Sequence, residues 1–144
     1  MNRLILLING PNLNLLGIRK PEVYGSATLS EVVQLVQILG EKVGLSVEDF
    51  QSNSEGAIID FIHRNRERAS GIIINPGAYS HTSIAIRDAL EAVDLPVVEV
   101  HISNIYEREK FRHHSYISDV AADVIIGQGV HGYELAVESI SKLI

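Results

Sequence analysis

Apolar residues arrive in short, nearly continuous runs separated by longer segments in which they recur every three or four positions. The runs at residues 3–8, 46–51, 71–75, 96–101 and 124–127 have strand length. Four of the five read as uninterrupted Leu, Ile and Val rather than as alternating residues, which predicts strands covered on both faces, as in a parallel sheet. After the first run, Leu29, Val32, Val33, Val36, Leu39 and Val43 form a stripe of helical period; Thr28 and Glu31 match a capping box at its start, and Gly44 ends it. Further helices are predicted over 55–69, 83–92 and 132–144, the last carrying Tyr133, Ala136, Val137 and Ile140 on one face. Strand and helix thus alternate along the whole chain. That order predicts an α/β fold: a flavodoxin-like, doubly wound five-stranded parallel sheet with helices on both faces.

In such a sheet ligands lie beyond the carboxyl ends of the strands, at the point where strand order reverses. Two connections, 9–27 and 102–122, are long for this class, and long loops in a compact domain usually bind or cover something.

Composition narrows the classes. With 144 residues, 46% hydrophobic and 21% charged, the chain reads as one catalytic domain spanning 1–144. A net charge of -6 argues against nucleic acid as a partner, yet a few arginines suffice to capture a small carboxylate. Cysteine is absent, which removes disulfides, thiolate chemistry and Cys-ligated metal. The opening apolar run meets Asn9-Gly10-Pro11 at once and reads as a strand rather than a signal peptide, and no apolar stretch approaches a bilayer span. The expected location is the cytoplasm, with no membrane partner.

The strand ends carry the candidate chemistry: Asn9-Gly10-Pro11-Asn12 after the first, Asn75-Pro76-Gly77-Ala78 after the third, Glu99-Val100-His101-Ile102-Ser103 at the fourth. Any single Asn here equally suits plain turn chemistry. Glu99 and His101, two apart on a strand, face the same side, where a carboxylate can hold the imidazole in one tautomer and raise its basicity. Tyr24 follows Arg19 and Lys20 in the first long loop, between Gly17 and Gly25. A free phenol titrates near pKa 10, but adjacent cations favour tyrosinate, a general base. Arg108 and Arg112 stand in the second long loop, and His81 precedes a helix whose free amides suit an anion. Asp88, inside that helix beside Arg87, reads as a surface or subunit-contact residue.

Two motifs are decoys. Gly127-Gln128-Gly129-Val130-His131-Gly132 satisfies a dinucleotide fingerprint in letters, but it lies at the end of the chain rather than in the first βα turn, so close helix–strand packing is the expected use. His113-His114 lacks the spacing of a metal site. A phosphate-accepting receiver domain would need acidic residues where Asn9 and Asn75 stand. A flavin module would need aromatic walls, and the chain has no tryptophan.

The segment Asn9-Gly10-Pro11-Asn12-Leu13-Asn14-Leu15-Leu16-Gly17, with Arg19 and Tyr24-Gly25, resembles the signature of type II 3-dehydroquinate dehydratases. The resemblance continues through Gln51-Ser52-Asn53, Asn75-Pro76-Gly77-Ala78-Tyr79, His81-Thr82-Ser83, Glu99-Val100-His101-Ile102-Ser103-Asn104, Arg108-Glu109 and Phe111-Arg112. It implies anti elimination of water from 3-dehydroquinate through an enolate, giving 3-dehydroshikimate in the shikimate pathway of aromatic amino acid biosynthesis, with no metal and no cofactor. It further implies that Tyr24 is the base, that Arg19 keeps it ionised, and that His101, oriented by Glu99, protonates the departing hydroxyl. Asn12 would place a water against the enolate oxygen. Asn75, His81, Ile102, Ser103 and Arg112 would hold the substrate, with Asp88 reaching in from a neighbouring subunit of a dodecamer built from trimers. Segment 17–26 would act as a lid carrying Arg19 and Tyr24.

Overall fold

The computed structural model describes residues 2–18 and 20–144, and for Val23 and Tyr24 the backbone alone. Five strands, β1 (Arg3–Asn9), β2 (Leu45–Gln51), β3 (Ala69–Asn75), β4 (Val97–His101) and β5 (Asp123–Ile126), form one parallel sheet in the order β2-β1-β3-β4-β5. The helices are α1 (Pro21–Tyr24), α2 (Leu29–Lys42), α3 (Glu55–Arg64), α4 (Ile84–Val93) and α5 (His131–Leu143).

Successive side chains of β1 point to opposite faces, and both faces are apolar. Ile5 and Leu7 pack with Val32 and Val36 of α2 and Val137 and Ile140 of α5; Leu6 and Ile8 pack with Ile58 and Ile62 of α3 and Ile86 and Leu90 of α4. Each such buried Leu or Ile is worth about 1.5–3 kcal/mol, so the central strands hold a layer of helices on either side. Thr28 Oγ1 accepts from Glu31 N at 3.2 Å and donates to the Glu31 carboxylate at 3.1 Å, the capping interaction that the sequence predicts for α2.

One predicted boundary and one predicted environment differ. The apolar pattern carries helix to residue 69, but α3 stops at Arg64 because Asn65 turns back on it, its Nδ2 donating to Phe61 O at 2.9 Å while its own carbonyl accepts from Ala69 N at 2.9 Å. Asn in a helix competes for the backbone in this way, and β3 consequently starts at Ala69. The run that becomes β5 predicts a strand covered on both faces; it is instead a half-exposed edge strand, paired with β4 on one side. The chain moves from β1 out to β2 and returns past β1 to β3, so strand order reverses between β1 and β3, where Asn9 and Asn75 lie in register.

Candidate active site

The turns that leave β1 and β3 are in backbone contact. Gly10 N donates to Asn75 O at 2.8 Å, and a Cβ on Gly10 would overlap the Pro76 carbonyl. Only glycine permits that approach. Asn12 adopts a left-handed backbone with φ 70°, and its amide donates to Asn53 Oδ1 at 2.9 Å. Gln51 Nε2 ties the same turn down by donating to Gly10 O at 3.1 Å and Asn53 Oδ1 at 3.2 Å. The turn is thereby fixed, with the Asn12 side chain exposed at the cleft.

Beneath it runs a buried polar bridge. The Tyr133 hydroxyl donates to Asn9 Oδ1 at 2.7 Å and accepts from Asn75 Nδ2 at 2.9 Å, while Asn75 Oδ1 accepts from Gly77 N at 3.2 Å. Tyr133 is fully buried, and burial pushes its phenol well above the usual range, the hydrogen bond from Asn75 opposing only in part. It is a neutral linker. One amide N–H of Asn75 remains for the cleft that Asn75 lines.

At the end of β4, Glu99 is fully buried and its Oε2 accepts from His101 Nε2. Desolvation is the largest influence on Glu99 and drives its pKa up, but the hydrogen bond and charge of His101, then the hydroxyls of Ser115 and Ser118, outweigh it and hold the carboxyl below its usual range. With Nε2–H committed to Glu99, Nδ1 is the ring nitrogen left for chemistry in the cleft that His101 lines.

His81 stands beside it, ring centroids 6.4 Å apart. Its Nδ1 donates to the His114 carbonyl at 2.8 Å, and its pKa is lowered, first by burial, then by the nearby charges of His101 and Arg112, against the raising effect of that backbone carbonyl. A neutral imidazole results, able to accept at Nε2. Among the described residues, Arg112 spends only Nε on Glu109, at 3.1 and 3.3 Å, and its other guanidinium nitrogens can serve a ligand.

These groups border one cleft of about 180 Å³, together with Pro11, Leu13, Gly77, Ile102, Ser103, Ile105 and Arg108. That is below the ~300–1,000 Å³ of pockets for drug-sized ligands, so it suits a small ring better than a nucleotide. Two arginines, two histidines and neutral amides suit it to a small anion that also carries hydrogen-bonding groups.

A family model described as dehydroquinase class II matches residues 3–141. The chain belongs to this family. A catabolic 3-dehydroquinase of Emericella nidulans is 57% identical over 141 residues, 98% of this chain and 92% of that protein. Another from Penicillium rubens is 58% identical over 140 residues, 97% and 90% of the two chains. The crystal structure of the type II dehydroquinase from Propionibacterium acnes superposes with a TM-score of 0.94 at 43% identity, covering 99% of this chain and 98% of that one. The chain is a hydro-lyase that removes water from 3-dehydroquinate.

Of the residues singled out in the sequence, Asn12, Asn75, His81, His101, Ile102, Ser103 and Arg112 meet at this cleft, with Glu99 behind His101. The Ile102 side chain belongs to the core, so only its backbone is offered to a ligand. Asp88 does not border the cleft; it is exposed on α4, 3.4 Å from Arg87. Arg19 and the Tyr24 side chain lie outside the described residues. Tyr24 closes the short helix α1, an element that the hydropathy pattern does not predict. Gly132 of the false fingerprint packs on Val100 and Ile125, as expected of a close helix–strand contact. The sequence reading missed Ser115, Ser118 and the bridging role of Tyr133, none of which carries a local signal.

Proposed function

We propose that 3-dehydroquinate lies in this cleft with its carboxylate toward Arg112 and its hydroxyls against Asn75, His81 and the Ile102–Ser103 backbone. Tyr24 as tyrosinate removes the proton beside the ketone, and the electron pair passes into an enolate. A water held by Asn12 stabilises the enolate oxygen. The enolate then collapses, the carbon–hydroxyl bond breaks, and His101 passes a proton from Nδ1 to the leaving oxygen, releasing water and the conjugated enone. Arg19 keeps Tyr24 ionised, both delivered from the segment between Gly17 and Gly25, whose φ values are 90° and 83°.

The observation that carries this reading is the buried Glu99–His101 pair at the carboxyl end of β4, opening onto a cleft with Arg108 and Arg112. A carboxylate that stays ionised stabilises the imidazolium, the form a general acid requires. The ultraviolet absorbance of the enone gives the assay. His101→Ala should lower kcat by about 10²–10⁴-fold, the usual worth of a general acid, and Tyr24→Phe should abolish turnover while a ring-carboxylate analogue still binds. Retained turnover in either variant refutes its role.

In the same reading the chain acts as one cytoplasmic catalytic domain in a dodecamer of trimers, with Asp88 reaching a neighbour's cleft. Its exposure on α4 supports this, and light scattering with Asp88→Asn kinetics tests it. The catabolic designation of the two relatives named above favours service in a degradative route. Gene deletion distinguishes the outcomes: loss of growth on a source that feeds 3-dehydroquinate, or an aromatic auxotrophy.

A further inference from the structure

One short segment of the second long loop touches His81 and the carboxylate that holds His101. His114 offers its carbonyl to His81 Nδ1 at 2.8 Å, and Tyr116 N donates to Ser80 O at 2.8 Å. Between and after them, Ser115 Oγ donates to Glu99 Oε2 at 2.6 Å and Ser118 Oγ donates to Glu99 Oε1 at 2.7 Å. Ser115 is itself oriented by Ile117 N, which donates to its Oγ at 3.2 Å. Both oxygens of a fully buried carboxylate are therefore engaged by hydroxyls that do not border the cleft.

We propose that Ser115 and Ser118 are positioning residues that set the proton affinity of the Glu99–His101 pair and so tune the imidazole as a proton donor. The proposal rests on the reading of His101 as the acid. Donors to one carboxylate compete for its charge. Each serine therefore stabilises Glu99 most when His101 is neutral, and less when an imidazolium already leans on it. The pair is thereby biased toward the state with one proton fewer, and the imidazolium gives its proton up more readily. Without the serines, a buried Glu99 carrying one remaining donor would retain the proton. The lowered pKa of Glu99 agrees with this, since both serines are among its causes.

Among the described residues, the other charged and titratable groups facing the pair are His81, whose ring lies 6.4 Å from that of His101, and Arg108 and Arg112, which line the same cleft. The two arginines disfavour an added proton through space, while His81 is neutral. The serines are distinct in acting through Glu99 alone, which makes their effect separable.

Ser118 is only half-buried, so Ser118→Ala is expected to fold and carries the test, with Ser115→Ala beside it. The His101 ring is followed by carbon-13 NMR against pH, and kcat against pH in parallel. Ser118→Ala should move the titration, and the basic limb of kcat, to higher pH by roughly 0.5–1 unit, the scale expected for one hydrogen bond to a charged group shared between two states. Ser118→Thr, which keeps the hydroxyl, should restore both. In a Glu99→Gln background Ser118→Ala should add no shift. An unmoved NMR titration, or a shift that persists without Glu99, overturns the proposal. A moved titration with an unmoved rate profile upholds it and overturns instead the assignment of His101 as the acid.

Discussion

Replacing Tyr133 by Phe removes one oxygen from the interior and leaves the ring in place. The hydroxyl it deletes links Asn9 at the end of β1 to Asn75 at the end of β3, at 2.7 and 2.9 Å. Both asparagines are almost inaccessible, at 1% and 4% exposure, so water does not replace the lost partner. An orphaned buried donor or acceptor costs about 1–3 kcal/mol. With one acceptor and one donor orphaned and apolar packing unchanged, the expected loss is about 3 kcal/mol, equivalent to roughly 10 °C in Tm for a chain of this length. Urea denaturation followed by circular dichroism, at one protein concentration, should show a lower midpoint with an unchanged slope. Catalysis should suffer as well, because Asn75 loses the contact that aims its remaining N–H: about a tenfold fall in kcat/KM, chiefly through KM. A destabilisation below about 0.5 kcal/mol would show that the bridge is not a closed network and that the two strand ends are held by the backbone alone.

Gly10→Ala should be worse than most single changes, costing about 3 kcal/mol or more, because the new Cβ meets the Pro76 backbone rather than a movable side chain; a soluble variant with wild-type Tm would contradict the close approach of the two turns. Acidification should reduce stability in two stages. The folded pKa of His81 is lowered from 6.5, so the unfolded chain binds that proton first, and its contribution is complete above about 6.5 and declines as pH falls below it. The Glu99 pKa is lowered from 4.5, so its contribution is complete above about 4.5 and is lost as pH falls through the lower folded value. His81→Asn should flatten the first stage in a pH series of urea midpoints, and an unchanged slope there would exclude His81 as its source.

Much of the architecture follows from local pattern. The uninterrupted Leu/Ile/Val of β1 and β3 requires cover on both faces, and a period of two places Glu99 and His101 on one side of β4. Boundaries departed from pattern where a side chain competed for the backbone, as Asn65 does at the end of α3, or where a strand's neighbours decided its exposure, as at β5. The cleft was half legible. Asn12, Asn75, His81, His101 and Arg112 stand at strand ends or in long loops, where topology sends ligands.

What acts on those residues was decided only by tertiary structure. Tyr133 sits on the buried face of α5 and reads as packing; its hydroxyl reaches Asn9, 124 positions earlier, only because α5 packs on the sheet with its first turn at the carboxyl ends of β1 and β3. Ser115 and Ser118 resemble any loop serines until the 102–122 connection folds back and places both hydroxyls on Glu99. Strand and helix periodicity is written locally because each residue's face depends on its neighbours in sequence. The partner of a buried polar atom depends on which distant segment closes over it, and that is set when the whole sheet is assembled.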